Sequence, residues 1–448
     1  MADPAAARVL LIGHGPLPGP GCRHSTFGPQ RTLAFAHTLR STGIALRVVL
    51  LDPAATRAAP LPHAPWAGTW SLAMADARRV RLWADEPPTV VISAGPYAPA
   101  HVAALHRGDA PWIADVPGDP LAELAAATDS GPVAAAEVEA ARATALRTLA
   151  EADVLLAISE PQRFACLGQL GLLGRVAAGG PPVEVCPISV PALDDAGGLL
   201  PAAAPRHRRP TEALRVLCGG ALNGWQALDA ALAGVERALD AGAPIELHLT
   251  GGAGGATAPG QEATLAAFCR RRAADARVVT HGWLDEQALH ALEARCHIGL
   301  SIDGPGLEPE LGSRTRLLRW SWAGLGLLGT ARCALAQQLV QAGGMIAVQP
   351  TAEAVGDALL RCADGRLQVH PTVAPAQALL RAIAHPDVAL APLRAAALHP
   401  TRATRATLPW LELPAALQAV QAELDAVYAS PTWRITNRIH RAWRAAVR

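Results

Sequence analysis

The chain reads as an α/β protein made of two doubly wound, Rossmann-like domains facing each other across a cleft, with helices at the carboxyl end. Three observations predict this. Short, near-continuous apolar runs alternate with helical stretches from the first residues, and the same order restarts after a linker rich in Pro, Ala and Arg. The 448 residues are 51% hydrophobic and 17% charged, and such a length amounts to about three domains of the usual ~150 residues, enough for more than one core. Strand–helix alternation calls for a parallel sheet, and strands covered by helices on both faces read as unbroken apolar runs.

Taken in order, RVLLIG (8–13) leads through a Gly/Pro-rich loop to a helix over 30–39 that stops near Gly43, and then to the strand ALRVVLL (45–51). That is a βαβ opening. TVVIS (89–93), PWIAD (111–115), DVLLAI (153–158) and VEVCPI (183–188) continue the sheet, with an Ala-rich helix over 133–152, and complete a first domain spanning 1–200. The linker lies at 201–212, within GGLLPAAAPRHRRPTE. LRVLCGG (214–220), IELHLTGG (245–252), RVVTHG (277–282), HIGLSI (297–302), LGLLGT (325–330) and MIAVQ (345–349) build a second domain over 213–390, and 391–448 reads as a helical extension with a basic tail. Two such sheets place a binding cleft at the carboxyl ends of their strands.

Composition excludes several functions. All 39 basic residues are arginine, so Schiff-base chemistry, pyridoxal phosphate anchoring and an ordinary P-loop are ruled out. Against 38 acids the net charge is +1, which argues against a nucleic-acid partner. The eight cysteines show no CxxC pair and read as buried thiols of a reducing compartment. No apolar run matches a signal peptide or a bilayer span, so the expected location is cytoplasmic, at most peripheral on the inner membrane. There is no DxD motif, and neither a metal nor a cofactor is expected.

Chemistry is expected in three loops. GHGPLPGPGCRHSTFG (13–28), with Gly19, Gly21 and Arg23, is either an acceptor-binding loop or a Pro-stiffened surface loop. CGGALNGW (218–225) follows a strand; Gly219 and Gly220 permit close approach to a ligand or simply serve the turn, and Asn223 can cap the next helix. In GLSIDGPGLEPELGSRTRLLRWSWAGLGLLGT (299–330) a helix is expected to begin at Gly312–Ser313, where free amides beside Arg314 and Arg316 suit a diphosphate and Glu308 and Glu310 suit sugar hydroxyls. The alternative pairs these arginines with the neighbouring glutamates. The tail TWRITNRIHRAWRAAVR (432–448) interleaves tryptophan and isoleucine with arginine, which suits a membrane interface or packing against the first domain.

ADVLLAISEPQRFACLGQLGLLGR (152–175), LDEQALHALEARCHIGLSID with SRTRLLRWSWAGLGLLGT, and SPTWRITNRIHR (430–441) together resemble the GT-B glycosyltransferases of the group 1, or family 4, type found in bacterial surface-polysaccharide synthesis. The resemblance implies a retaining hexosyltransferase whose second domain holds a nucleotide-sugar donor and whose first holds a glycan or lipid-linked acceptor. It assigns Gly219, Gly220 and Asn223 to the first donor loop, Gly282 and Trp283 to the nucleoside loop, and Gly312, Ser313, Arg314 and Arg316 to the diphosphate. Asp115 and Asp119 would face the reaction centre, with Glu308 and Glu310 the nearest catalytic carboxylates on the donor side. The chain departs from the family at Arg319, where a ribose-binding glutamate is usual; arginine cannot accept those bonds. A catalytically weakened homologue serving as a glycan-binding or partner subunit is therefore the alternative.

Overall fold

A computed structural model of the chain describes residues 7–18, 27–52, 59–60, 69–72, 77, 87–176, 179–191, 199–209, 211–253, 259–406 and 430. Met1–Arg405 form one compact unit and Ala406–Arg448 a second. Every element below belongs to the first. Gly19, Gly21 and Arg23 lie outside the described residues, as does the basic tail with its expected membrane contact.

The first half contains β1 (Arg8–His14), α1 (Phe27–Arg40), β2 (Ala45–Leu51), β3 (Ala59–Pro60), β4 (Thr69–Leu72), β5 (Val90–Ser93), α2 (Ala98–His106), β6 (Trp112–Asp115), α3 (Pro120–Ser130), α4 (Ala135–Glu151), β7 (Val154–Ala157), α5 (Glu160–Leu172) and β8 (Val183–Val185). The strands form one sheet in the order β3-β4-β2-β1-β5-β6-β7-β8, parallel except where β3 meets β4. The short β3 and β4 have no counterpart among the strands expected from sequence. Successive side chains on a strand point to opposite faces, and β1 shows this directly. Val9 and Leu11 pack with Phe35 and Leu39 of α1, while Leu10 and Ile12 pack with Val102 and Ala103 of α2. Both faces are covered, which is why the run is apolar throughout.

The second half contains β9 (Leu214–Leu222), α6 (Leu228–Asp240), β10 (Ile245–Ala253), α7 (Pro259–Arg271), β11 (Val278–Gly282), α8 (Glu286–Glu293), β12 (Ile298–Ser301), α9 (Leu307–Leu311), α10 (Thr315–Trp322), β13 (Gly326–Gly329), α11 (Ala334–Gln341), β14 (Ile346–Ala347), α12 (Ala352–Ala363), α13 (Val373–Ile383), α14 (Pro386–Ala389) and α15 (Ala391–Leu398). Its sheet is parallel, in the order β11-β10-β9-β12-β13-β14. Chain order reverses between β1 and β5 in the first sheet and between β9 and β12 in the second, and such reversals open crevices at the strand ends.

The two halves are packed together. After the second sheet, α14 and α15 return to the first, and Leu390, Leu393 and Ala397 enter its core. Ile158, Ile188 and Val190 of the first half share a core with Leu317, Leu318 and Trp320 of α10. Ser159 contributes at this seam in two ways. Its hydroxyl caps α5 by accepting from the Gln162 amide, and it donates to the Leu311 carbonyl at 3.2 Å. No helix among the described residues is long and apolar enough to cross a membrane. The seven described cysteines are free thiols, all but Cys269 of them buried.

Candidate functional site

A cavity of about 290 Å³ lies at the carboxyl ends of both sheets. From the second half it is lined by Gly219 and Gly220 at the end of β9, Thr250 and Gly251 of β10, Trp283 after β11, and the stretch from Gly312 to Arg316. Glycine is required where β9 and β10 run side by side. A Cβ on Gly219 would sit 2.5 Å from the Thr250 carbonyl oxygen, and one on Gly251, whose φ is +80°, would sit 2.2 Å from the Gly220 carbonyl oxygen. These clashes are with backbone, so neither site tolerates a side chain. The result is a bare peptide wall that a ligand can approach closely.

Local structure differs from the sequence expectation in two places. Asn223 lines the cavity but caps nothing: a turn over 223–226 intervenes and α6 begins at Leu228 with Ala227 as its cap. The helix expected at Gly312–Ser313 is α10, which starts at Thr315 with Arg314 in the cap position. The preceding residues form the short α9, and Gly312 links the two.

The two arginines of this stretch have separate fates. Arg314 is buried between two carboxylates: its Nε donates to Asp303 Oδ2 at 2.7 Å and its Nη2 to Glu308 Oε2 at 2.7 Å. Burial works against its charge, but Asp303 and Glu308 outweigh this and hold it above the ordinary arginine value; burial in turn raises Glu308. Arg314 is thus already neutralised. Arg316 also lines the cavity and donates from Nη2 to the Ala221 carbonyl at 3.0 Å, with no ion pair among the described residues. Burial lowers its pKa, partly offset by Asp303 and Cys218. A half-buried guanidinium with no ion pair among the described residues suits a bound anion.

The far end of the cavity carries a second charge cluster. Arg319 donates from Nη1 to Glu286 and from Nε to Glu293, both at 2.5 Å, beside Trp283, Leu289 and Trp320. Glu293 is 1% exposed, and its Oε2 and the Arg319 Nη2 are buried with no hydrogen-bond partner among the described residues. Burial raises the Glu293 pKa, which Arg319 partly offsets. Arg319, which stands where the resemblance leads one to expect a glutamate, is thus met by two carboxylates from α8.

Asp115 and Asp119, expected to face the reaction centre, do not line the cavity. Asp115 is 1% exposed and forms a two-point ion pair with buried Arg31, at 2.9 and 3.2 Å, while accepting from the Gly95 amide. Arg31 extends this staple to the carbonyls of Cys186 and Pro187, tying β6 to β8. Asp119 is the cap of α3, accepting from the amides of Leu121 and Ala122 and from Gln169 Nε2. Both acids are thus engaged in structural contacts. Asp119→Ala is accordingly expected to cost about 1 kcal/mol in urea unfolding, the usual worth of an N-cap, with nucleotide affinity unchanged. Glu310 is exposed on α9 and also lies off the cavity, whereas Glu308 lines it. Gly282, at φ +62°, turns the chain ahead of Trp283 without lining the cavity itself.

The structure adds Glu123 on α3, together with Glu286 and Glu293, as cavity residues that the motifs did not mark. A signal for Glu123 existed. It lies in the first turns of the helix after β6, close to a strand's carboxyl end, where α/β sheets collect their ligand groups. Burial, reinforced by the nearby Glu308, pushes its carboxyl up to about 8.

No protein-family model and no curated protein matches the sequence. Solved structures do. The chain is similar to a trehalose-6-phosphate enzyme from E. coli bound with UDP-2-fluoro glucose, at 13% identity and a TM-score of 0.61, covering 88% of this chain and 100% of that one. It is also similar to sucrose-phosphate synthase from Thermosynechococcus elongatus, at 13% identity and a TM-score of 0.60, covering 86% and 97%. A third match is Anabaena HepE in complex with UDP and glucose, at 12% identity and a TM-score of 0.53, covering 86% and 98%. The likeness shows the fold. It is the GT-B arrangement of two Rossmann-like halves across a cleft, over most of the chain.

Proposed function

We propose that the protein is a glycosyltransferase that moves a hexosyl unit from a nucleotide-sugar donor to a glycan or lipid-linked acceptor. The single observation that carries this reading is Arg316, a half-buried cation on the cavity wall with no ion pair among the described residues, beside the bare Gly219–Gly220 backbone and the start of α10. Such a setting favours a diphosphate, which would accept from the guanidinium and from amides at the helix start. As the bond to the anomeric carbon breaks, the leaving diphosphate gains negative charge that Arg316 and these amides are placed to stabilise. The nucleoside would lie toward Trp283, with its hydroxyls near Glu286 and Glu293. That two structures of this fold hold UDP with a sugar, or a UDP-sugar analogue, supports the donor class.

The acceptor rests on the sequence resemblance, as do retention of configuration and a role in surface-glycan or lipopolysaccharide assembly; peripheral binding to the inner membrane rests on the interleaved tryptophans and arginines of the basic tail. The reading as a weakened homologue rests on Arg319, and the carboxylates that α8 brings against that arginine speak against it. Incubation with a panel of UDP-, GDP- and ADP-linked hexoses tests the proposal. Release of the nucleoside diphosphate from at least one is expected, and binding of none by the folded protein would refute it.

A further inference from the structure

We infer that Glu123 is the catalytic base of this transfer, taking the proton of the acceptor hydroxyl. The inference rests on the transferase reading above. Among the described residues Glu123 is the one titratable side chain that the first half of the molecule brings to the cavity wall, since Asp115 and Asp119 are committed to an ion pair and a helix cap. No hydrogen bond or ion pair from another described residue engages its carboxyl. The loop ahead of it is nevertheless fixed. Gln162 donates from Nε2 to the carbonyls of Val116 and Gly118. A Cβ on Gly118, at φ +85°, would lie 2.5 Å from Glu123 Oε1, so the carboxyl is seated against a spot that only glycine leaves open. A carboxyl on the cavity wall, on a helix whose leading loop is fixed and with no partner of its own among the described residues, is free to meet a substrate.

The charged and titratable groups that face it are Glu308 of α9 and Arg314 ahead of α10, Asp119 at its own helix cap, and Tyr97 ahead of α2. Burial comes first among the causes that raise its pKa to about 8, the Glu308 charge second, with Arg314 opposing and Asp119 assisting. An ordinary carboxylate is too weak a base for a hydroxyl; one near 8 is matched to working pH. In the step, a lone pair of the acceptor oxygen forms the bond to the anomeric carbon, and the carbon–oxygen bond to the diphosphate breaks with its electron pair leaving on the phosphate. The hydroxyl proton passes to a Glu123 carboxylate oxygen and from there to water. On attack from the face opposite the diphosphate the leaving oxygen is out of reach of this proton and a base is required; on attack from the same face a leaving phosphate oxygen competes for it.

The test uses the full chain, with UDP-, GDP- and ADP-glucose as donors and water or glucose as acceptor. Nucleoside diphosphate release is followed from pH 6 to 9, and nucleoside diphosphate affinity is measured by calorimetry. The wild-type rate should rise with pH to a midpoint near 8. Glu123→Gln should lose about 10²- to 10⁴-fold in kcat and the alkaline rise with it, with diphosphate affinity unchanged. Glu123→Asp, which keeps a shortened carboxylate, should retain the rise at a reduced rate. The same rate and pH profile in Glu123→Gln as in wild type overturns the assignment, as does a wild type that binds a nucleoside diphosphate but turns over no donor at any pH. Failure to bind any nucleoside diphosphate would instead overturn the transferase reading beneath it.

Discussion

Arg316→Ala is expected to weaken nucleoside diphosphate binding by roughly 30- to 700-fold, the equivalent of about 2–4 kcal/mol for losing one partner of a desolvated charge pair. The fold should survive. In the free protein Arg316 makes one hydrogen bond to the Ala221 carbonyl and no ion pair among the described residues, so its removal strands no buried charge. Arg314→Ala behaves in the opposite way. It leaves Asp303 and Glu308 buried without their cation and should cost about 3–5 kcal/mol of stability, before any effect on ligand is read. Calorimetric titration of folded Arg316→Ala checks the first of these. Affinity within twofold of wild type would remove Arg316 from the diphosphate site and leave the cavity without a free cation among the described residues.

Arg319→Leu is expected to destabilise the second half by about 3–5 kcal/mol near pH 8, and by clearly less near pH 5. The sign follows from Glu293. Burial already raises its pKa and Arg319 is the chief opposing influence, so removing the arginine raises it further. Between the unfolded carboxylate value of about 4.3 and the higher folded one, the folded chain holds a proton that the unfolded chain has lost. Stability therefore falls as pH rises through that window. Below it both states are protonated and the penalty is confined to lost packing and hydrogen bonds. Urea unfolding at pH 5 and pH 8 measures the difference, and equal losses at the two would mean that Glu293 does not depend on Arg319.

The sheets were legible in the sequence because both are covered on two faces, which turns each central strand into an unbroken apolar run such as Val9–Ile12 or Val90–Ile92. The tiny β3 and β4 carry no such run. Cavity residues were legible where glycine marks the chain, at Gly219 and Gly220 near the end of β9 and at Gly312 between α9 and α10, because a close backbone approach or a sharp link shows in composition. Side-chain partners were legible only as an open choice, in which pairing with the neighbouring glutamates holds for Arg314 and not for Arg316. Arg314 and Arg316 stand two residues apart with equal claims on an anion, and only the fold shows Asp303 and Glu308 closing around one of them. Asp115 looks catalytic until Arg31, far away in sequence, is seen to engage it. Arg319 reads as a lost carboxylate because Glu286 and Glu293 reach it from another helix, through contacts that neither periodicity nor spacing encodes.

The central claim is that a nucleoside diphosphate binds at the end of β9 against Arg316. Hydrogen exchange of the full chain, with and without saturating UDP, GDP or ADP, tests it most directly. At least one of the three should slow exchange together at residues 219–223, 250–251 and 312–316 and leave α12, which contributes nothing to the cavity, unchanged. Protection elsewhere with none at those three segments, or no protection by any of the three nucleotides, would contradict it.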